Sequence, residues 1–231
     1  MSDLLVIVPT RGRPQNAQAF YDSWIATTED TDLLFVCDED DPLLGTYQYR
    51  RPMMSKASLM TVPPKLRLCG ALNKAAVEKA NDYKYLAFMG DDHRCRTLHW
   101  DKIVREAVGD HQVAIVYGND LLQGETMPTA VVMTSNIVST LGYMAPPSLE
   151  HLCLDLCWLD WSNALDCRIY LDHVVIEHLH PANGKADMDA GYRLANSGEQ
   201  VKRDADAYYS YRDDGGLARD VKKLKKLLSN V

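Results

Sequence analysis

The chain has 231 residues, 46% hydrophobic and 25% charged, with 32 acidic residues against 25 Lys and Arg and a net charge of −7. That length and composition suit one globular domain with a full core, and they exclude disordered, collagenous and disulfide-scaffold classes. The acidic balance excludes a broad positive field for coating nucleic acid, but leaves room for an anionic ligand in a local basic pocket.

The run Leu4-Leu5-Val6-Ile7-Val8 is apolar without alternation, which predicts a parallel strand covered on both faces. It leads into the loop Pro9-Thr10-Arg11-Gly12-Arg13-Pro14 and a helix over 15–27. A second strand over 33–37 ends in the acidic group Asp38, Glu39, Asp40 and Asp41. Residues 42–64 read as mostly irregular, with a short strand over 59–62, and 69–80 has helical spacing. A third strand over 85–89 runs into Gly90-Asp91-Asp92-His93. Then come a helix (98–108), a strand (113–117), a strand-like run (130–133) and helices over 135–141 and 149–165. A strand over 174–178 leads into His180-Pro181, and helices follow from about residue 187. Strands alternating with helices predict an α/β layer fold, and the edge where strands end in polar loops is where such sheets bind ligands.

No apolar run is long enough to span a bilayer. The first run is followed by Pro9, Thr10 and Arg11 rather than by a signal-cleavage region. Cys37, Cys69, Cys95, Cys153, Cys157 and Cys167 lack framework spacing and read as free thiols, so a reducing cytoplasm and no membrane partner are expected.

Adjacent carboxylates at a strand end repel each other unless a cation sits against them, which makes Asp91-Asp92 a candidate metal and diphosphate element. A solvated turn with an Asp cap is the plain alternative. His178 and His180 share one side of an extended chain, so one of them can complete a metal shell with Asp92; a structural histidine is the alternative for each. Thr10, Arg11 and Arg13 offer amides and guanidinium forks to a base or phosphate, and Asp38 and Glu39 can accept from a ribose or base edge. Lys185, in the loop after the histidines, can close on a phosphate or stand as solvated surface. The helix around 151–161 is apolar nearly all round yet carries Asp155 and Asp160. A carboxyl in such surroundings resists ionisation and suits a general base near neutral pH, a role that fits Asp155 better than Asp160. His151, Cys153 and Cys157 lack knuckle spacing for zinc and read as core residues.

Together these pieces resemble glycosyltransferases of the GT-A fold, in the broad family-2-like group, and more closely the small bacterial and bacteriophage type. The resemblance rests on Val6-Ile7-Val8-Pro9-Thr10-Arg11-Gly12-Arg13-Pro14, on Phe88-Met89-Gly90-Asp91-Asp92-His93 and on His151-Leu152-x-x-Asp155-x-x-Trp158. It continues in Val175-Ile176-Glu177-His178-Leu179-His180-Pro181 and Gly184-Lys185-Ala186-x-x-Asp189. It implies a Rossmann-like, mixed but mostly parallel sheet flanked by helices, with a domain over 1–200 and a C-terminal helical extension over 201–231. It implies a nucleotide-diphosphate sugar as donor, a UDP-sugar by family weight, bound by Pro9, Thr10, Arg11, Arg13, Asp38 or Glu39, Asn73, Asp91 and Lys185. Asp92 and one of His178 and His180 would hold Mn²⁺ or Mg²⁺, and Asp155 would act as base in an inverting transfer. Two departures stand out. Ala71-Leu72-Asn73 replaces the usual Ala-Arg-Asn, so Arg67 or Lys65 must stand in for a diphosphate-facing arginine. His93 occupies a position that relatives give to an acidic or apolar residue.

Leu217, Val221, Leu224, Leu228 and Val231 recur at alternating spacings of four and three, with Lys222, Lys223, Lys225 and Lys226 on the other face. A final helix packed on the sheet is expected, with a homo-oligomer seam or an acidic partner as the alternative. Three functions compete: a metal-dependent glycosyltransferase, a nucleotidyltransferase, and a non-catalytic sugar-nucleotide-binding protein. The nucleotidyltransferase would want a richer glycine loop than Thr10 to Pro14, and Asp92 with Asp155 argues against lost catalysis. The first is expected, with an acceptor hydroxyl on a glycan, a protein or a modified DNA base.

Overall fold

The computed structural model describes residues 2–229. In chain order the elements are β1 (Leu4–Pro9), α1 (Pro14–Thr27), β2 (Asp32–Asp38), α2 (Leu44–Arg50), β3 (Ala57–Val62), α3 (Arg67–Lys79), β4 (Tyr85–Phe88) and β5 (His93–Cys95). They continue as α4 (Trp100–Val108), β6 (Ile115–Asn119), β7 (Val131–Thr134), α5 (Ser135–Leu141), α6 (Leu154–Leu165) and β8 (Arg168–His178). The chain closes with α7 (Ala190–Ala195), α8 (Gly198–Asp213) and α9 (Gly216–Leu228). The strands form one sheet in the order β3-β2-β1-β4-β7-β6-β8-β5. β1 to β4 run parallel, β7 is antiparallel to β4 and β6, and β8 returns parallel to β6. The short β5 pairs antiparallel with the end of β8, which places His93 beside His178.

The unbroken apolar strands have the cause their sequence implies, because both faces are covered. Leu5, Ile7, Leu34, Val36, Leu86 and Phe88 face the layer of α3, α5, α6, α8 and α9. Leu4, Val6, Val8, Leu33, Phe35 and Ala87 face the layer of α1 and α4. α1 starts with Pro14, whose fixed φ suits the first helical position, and buries Ala17, Phe20, Tyr21 and Trp24 along one stripe.

The structure departs from the sequence expectation in three places, while the tail helix packs inside the chain as expected. Residues 44–50 are helical rather than irregular, anchored by the buried Tyr47. α6 begins at Leu154 rather than at residue 149, because the preceding residues are held in another conformation. β8 begins at Arg168, six residues earlier than expected, and its first half is only partly buried, so it lacks an apolar signature. In the tail, Leu224 is fully buried, Leu217 and Val221 pack on the core, and Leu228 is exposed. The apolar stripe is thus spent inside the chain; Val231 lies outside the described residues. Among the described residues no helix is long and apolar enough to cross a membrane.

Candidate active site

The loop after β1 is tied down from three sides. Buried Thr10 donates its hydroxyl to Asp91 Oδ2 at 2.6 Å, and Tyr47 OH sits 3.0 Å from that Thr10 hydroxyl oxygen. Tyr47 OH also accepts the Arg13 N–H at 2.8 Å, and Asp41 Oδ2 accepts the Gly12 N–H at 2.7 Å. Arg11 donates to Asp38 at 2.8 Å and to Asp40 at 2.5 Å, leaving Glu39 exposed at the rim. Pro9 is the last residue of β1, half-buried below this loop.

The Asp91-Asp92 pair sits at the end of β4 in a turn that requires Gly90. A Cβ there would lie 2.4 Å from Asp92 Oδ1, far inside contact distance. Arg13 lies across the pair: its Nη1 is 3.4 Å from Asp91 and 3.9 Å from Asp92, while its Nη2 donates to Asp189 at 2.6 Å. The guanidinium also rests 4.3 Å over the Tyr192 ring, and Tyr192 OH donates to Asp92 Oδ2 at 2.6 Å. The two carboxyls separate in acidity. Burial and the neighbouring Asp92 charge push Asp91 up, against the pull of Arg13. Asp92 also suffers burial, but the adjoining His178 and His93 rings outweigh it and hold the carboxyl well below the usual range.

Of the two histidines expected near Asp92, the structure brings His178 to it, with Nε2 3.6 Å from Asp92 Oδ1. His180 uses Nδ1 to accept the Ala182 N–H at 3.1 Å, capping the short turn Pro181–Asn183. It stands outside the cluster of Asp92, His93 and His178, whose ligand atoms lie within 4.8 Å of one another. His93, absent from the expected metal set, is buried, and its Nδ1 is 3.2 Å from Asp92 Oδ1 and accepts the Gly90 N–H at 3.0 Å. The His93 and His178 rings stack at 4.3 Å and 16°. Two nearly parallel rings cannot both aim a lone pair in plane at one ion, so in this arrangement only one of the two imidazoles could join Asp92 in holding a cation. Burial and the neighbouring His178 charge lower the His93 pKa. His178 Nδ1 is buried without a partner.

Asp155, the second residue of α6, accepts the Leu156 N–H at 2.9 Å. Burial pushes its carboxyl above the ordinary range, and it lies near enough to feel His178. Asp160 instead accepts from Tyr208 OH at 2.8 Å on the far side of the helix. His151 lies within reach of the charges on Arg13, Asp92 and Arg67, and burial lowers its pKa. Arg67 is exposed at the start of α3, 3.9 Å from Glu150, and Lys65 is exposed beside it. Lys185 pairs with Glu177 at 2.6 Å.

Asn73, expected near the donor, makes structural bonds in this chain. Its Nδ2 donates to Ala145 O at 2.8 Å, and its Oδ1 accepts the Met144 and Ala145 N–H groups at 2.8 Å each. Its oxygen and one of its two Nδ2 hydrogens are thus committed to the 144–145 loop. Sequence reasoning also left Tyr192 without a role, although Asp189-x-x-Tyr192 is a helix-cap spacing, with the Asp189 carboxylate accepting the Tyr192 N–H at 2.8 Å.

No family model matches the chain, and no curated protein matches it. Its similarity is to solved structures. S. aureus TarS 1-349 in complex with UDP shares 12% identity over 76% of this chain and 59% of that one, with a TM-score of 0.60. The mannosyltransferase PcManGT from Pyrobaculum calidifontis, in complex with GDP-Man and Mn²⁺, shares 13% identity over 97% and 80%, with a TM-score of 0.61. The fold is GT-A. Glucosyl-3-phosphoglycerate synthase from Mycobacterium tuberculosis in complex with UDP has the same likeness, with 11% identity, 90% and 80% coverage and a TM-score of 0.60. The chain spans only 59% of the TarS 1-349 chain. In this GT-A sheet, Thr10, Arg13, Asp91, Asp92 and His178 all gather at the ends of β1, β4 and β8, while α6 brings Asp155 from above.

Proposed function

We propose that the chain is a glycosyltransferase that moves a sugar from a nucleoside-diphosphate donor to an acceptor hydroxyl with the aid of a divalent cation. The observation that carries the reading is Asp92 facing His178 at 3.6 Å on the ligand edge of a GT-A sheet, with the partly desolvated Asp155 nearby. One carboxylate and one imidazole, with Asp92 held ionised, fit Mn²⁺, and Mg²⁺ by its oxygen preference fits less well. When bound, the cation supplies charge to the leaving nucleoside diphosphate.

The chain's own residues supply the rest. Arg13 keeps Asp91 and Asp92 in one orientation, and our reading gives Asp91 to the donor ribose. Asp38 and Arg11 border the nucleoside side, and uridine is our reading of the base, supported by the UDP in the TarS and glucosyl-3-phosphoglycerate synthase structures. Arg67 and Lys185 supply exposed positive charge for the diphosphate in place of the absent helix arginine. Asp155 takes the proton of the acceptor hydroxyl at a carboxylate oxygen as that hydroxyl attacks the sugar opposite the leaving group, so the anomeric centre inverts.

Calorimetric titration of UDP and GDP into the protein, with Mn²⁺ and then with EDTA, tests the reading. One nucleotide should bind in Mn²⁺ and be lost in EDTA, and Asp92→Ala should weaken it by about a hundredfold or more. Absence of nucleotide binding under every condition would overturn it.

A further inference from the structure

We propose that Asp204 is a positioning residue that fixes the acceptor-side segment 150–153 and, through it, Asp155; the inference rests on the transferase reading above. Asp204 lies on α8, entirely buried. Its carboxylate accepts three consecutive backbone N–H groups, from Glu150 at 2.8 Å, His151 at 3.1 Å and Leu152 at 2.7 Å. A fourth bond comes from Gln200 Nε2 at 2.9 Å. Among the described residues no cation pairs with it: its neighbour Arg203 reaches Glu150 and Glu199 instead. The charge is therefore balanced by amide dipoles alone, so any change at Asp204 acts directly on the segment.

That segment hands the chain to α6. The clamped segment stops short of α6, which starts only at Leu154. Cys153, just before it, sits at φ +66°, a left-handed conformation that a residue with a Cβ seldom adopts unless its surroundings impose it. The α6 N-terminus has no side-chain cap of its own, and Asp155 follows one residue later. The same segment meets α3, with the Cys69 N–H donating to Glu150 O at 3.0 Å. It also carries His151, which feels Asp92, Arg13 and Arg67. A slip here displaces the base relative to the donor while leaving the Asp92 site intact. The C-terminal helices, with Tyr208 and Leu224 in the core, thus belong to the frame of the site.

Asp204→Asn tests this in the full chain. A carboxamide offers one acceptor oxygen and turns an NH₂ toward amide donors. Exchange of the Glu150, His151 and Leu152 amides should speed up by about tenfold or more, with the β1 amides unchanged. The kcat for sugar transfer should fall by about ten- to a hundredfold while the donor KM stays within about threefold. If Asp204→Asn does not fold, Gln200→Leu should show the same pattern at about two- to fivefold, since it removes one bond that orients the carboxylate. Unchanged exchange at the three amides, or equal losses in kcat and donor affinity, would overturn the clamp. A wild-type chain that binds no nucleotide sinks the transferase reading separately, because the exchange measurement judges the clamp without donor.

Discussion

Tyr192 donates its hydroxyl to Asp92 Oδ2 at 2.6 Å, joining two residues a hundred positions apart. This bond takes one carboxylate oxygen and leaves Oδ1 facing His178 Nε2 at 3.6 Å and His93 Nδ1 at 3.2 Å. Burial and the Asp92 charge push the phenol pKa far up, so it remains a donor across the working range. A group that orients a ligand through its free oxygen changes metal affinity without touching the metal.

Tyr192→Phe keeps the ring under Arg13 and deletes only this donor. Mn²⁺ affinity, read from free Mn²⁺ by electron paramagnetic resonance, should weaken by about tenfold. Equal affinities would mean that the carboxylate holds its direction without the bond.

Arg13 is the second joint of the site. It is mostly buried, it faces Asp91, Asp92 and Asp189, and a Cβ on Gly191 would lie 2.9 Å from its Nη2. Arg13→Met keeps the stem and leaves three carboxylates without their cation. A loss of about 2 kcal/mol, or roughly 5 °C in Tm, is expected at pH 7. The pH dependence has a definite sign. Asp189, though partly buried, is held below the ordinary range by Arg13, so the stability it adds is present above its unfolded pKa. It is lost as pH falls through the lower folded value, so the gap between variant and wild type should narrow below about pH 4. Thermal melts from pH 3 to 8 measure this, and a gap that widens in acid would contradict it.

The sheet was legible because β1, β2 and β4 are continuous apolar runs that only a doubly covered strand explains, and Gly90-Asp91-Asp92 ends one of them. β5 was not, since its three residues lie inside that motif and are polar apart from Cys95. β8 was half legible, because Arg168 to His173 are only partly buried and carry no alternation. Within the site, Asp92 with a nearby histidine could be read from strand ends. That His178 rather than His180 faces Asp92 could not, because His180 is taken up by the Ala182 N–H. Asp204, Tyr192 and Asp189 act across long sequence separations, where spacing carries no information.

Asn73 offers a stability test of an expected ligand contact. Its three hydrogen bonds to residues 144 and 145 leave two backbone N–H groups and one carbonyl without partners in Asn73→Ala. That should cost about 2–3 kcal/mol, or roughly 5–10 °C in Tm. Nucleotide affinity per folded molecule should stay within about twofold, since losing a donor contact to a phosphate would weaken it by tenfold or more. Calorimetric titration of the folded variant separates the two.

In the base role proposed for it, Asp155 would tie catalysis to stability with opposite signs. As a base it must be ionised, so kcat should rise with pH along a limb set by its carboxyl, above the ordinary carboxylate value of about 3.9 because burial raises it. The same burial makes the ionised form costly in the folded chain. A raised folded pKa favours the folded state below the unfolded pKa, and that advantage is lost as pH rises through the folded pKa. Asp155→Asn keeps an acceptor for the Leu156 N–H and cannot ionise. It should lower kcat by about a thousandfold or more, yet melt at a higher temperature than wild type at pH 8, with the difference vanishing near pH 3. A variant less stable than wild type at pH 8 would mean that the Asp155 charge is compensated in the folded protein, and the acidic limb would then belong to another group.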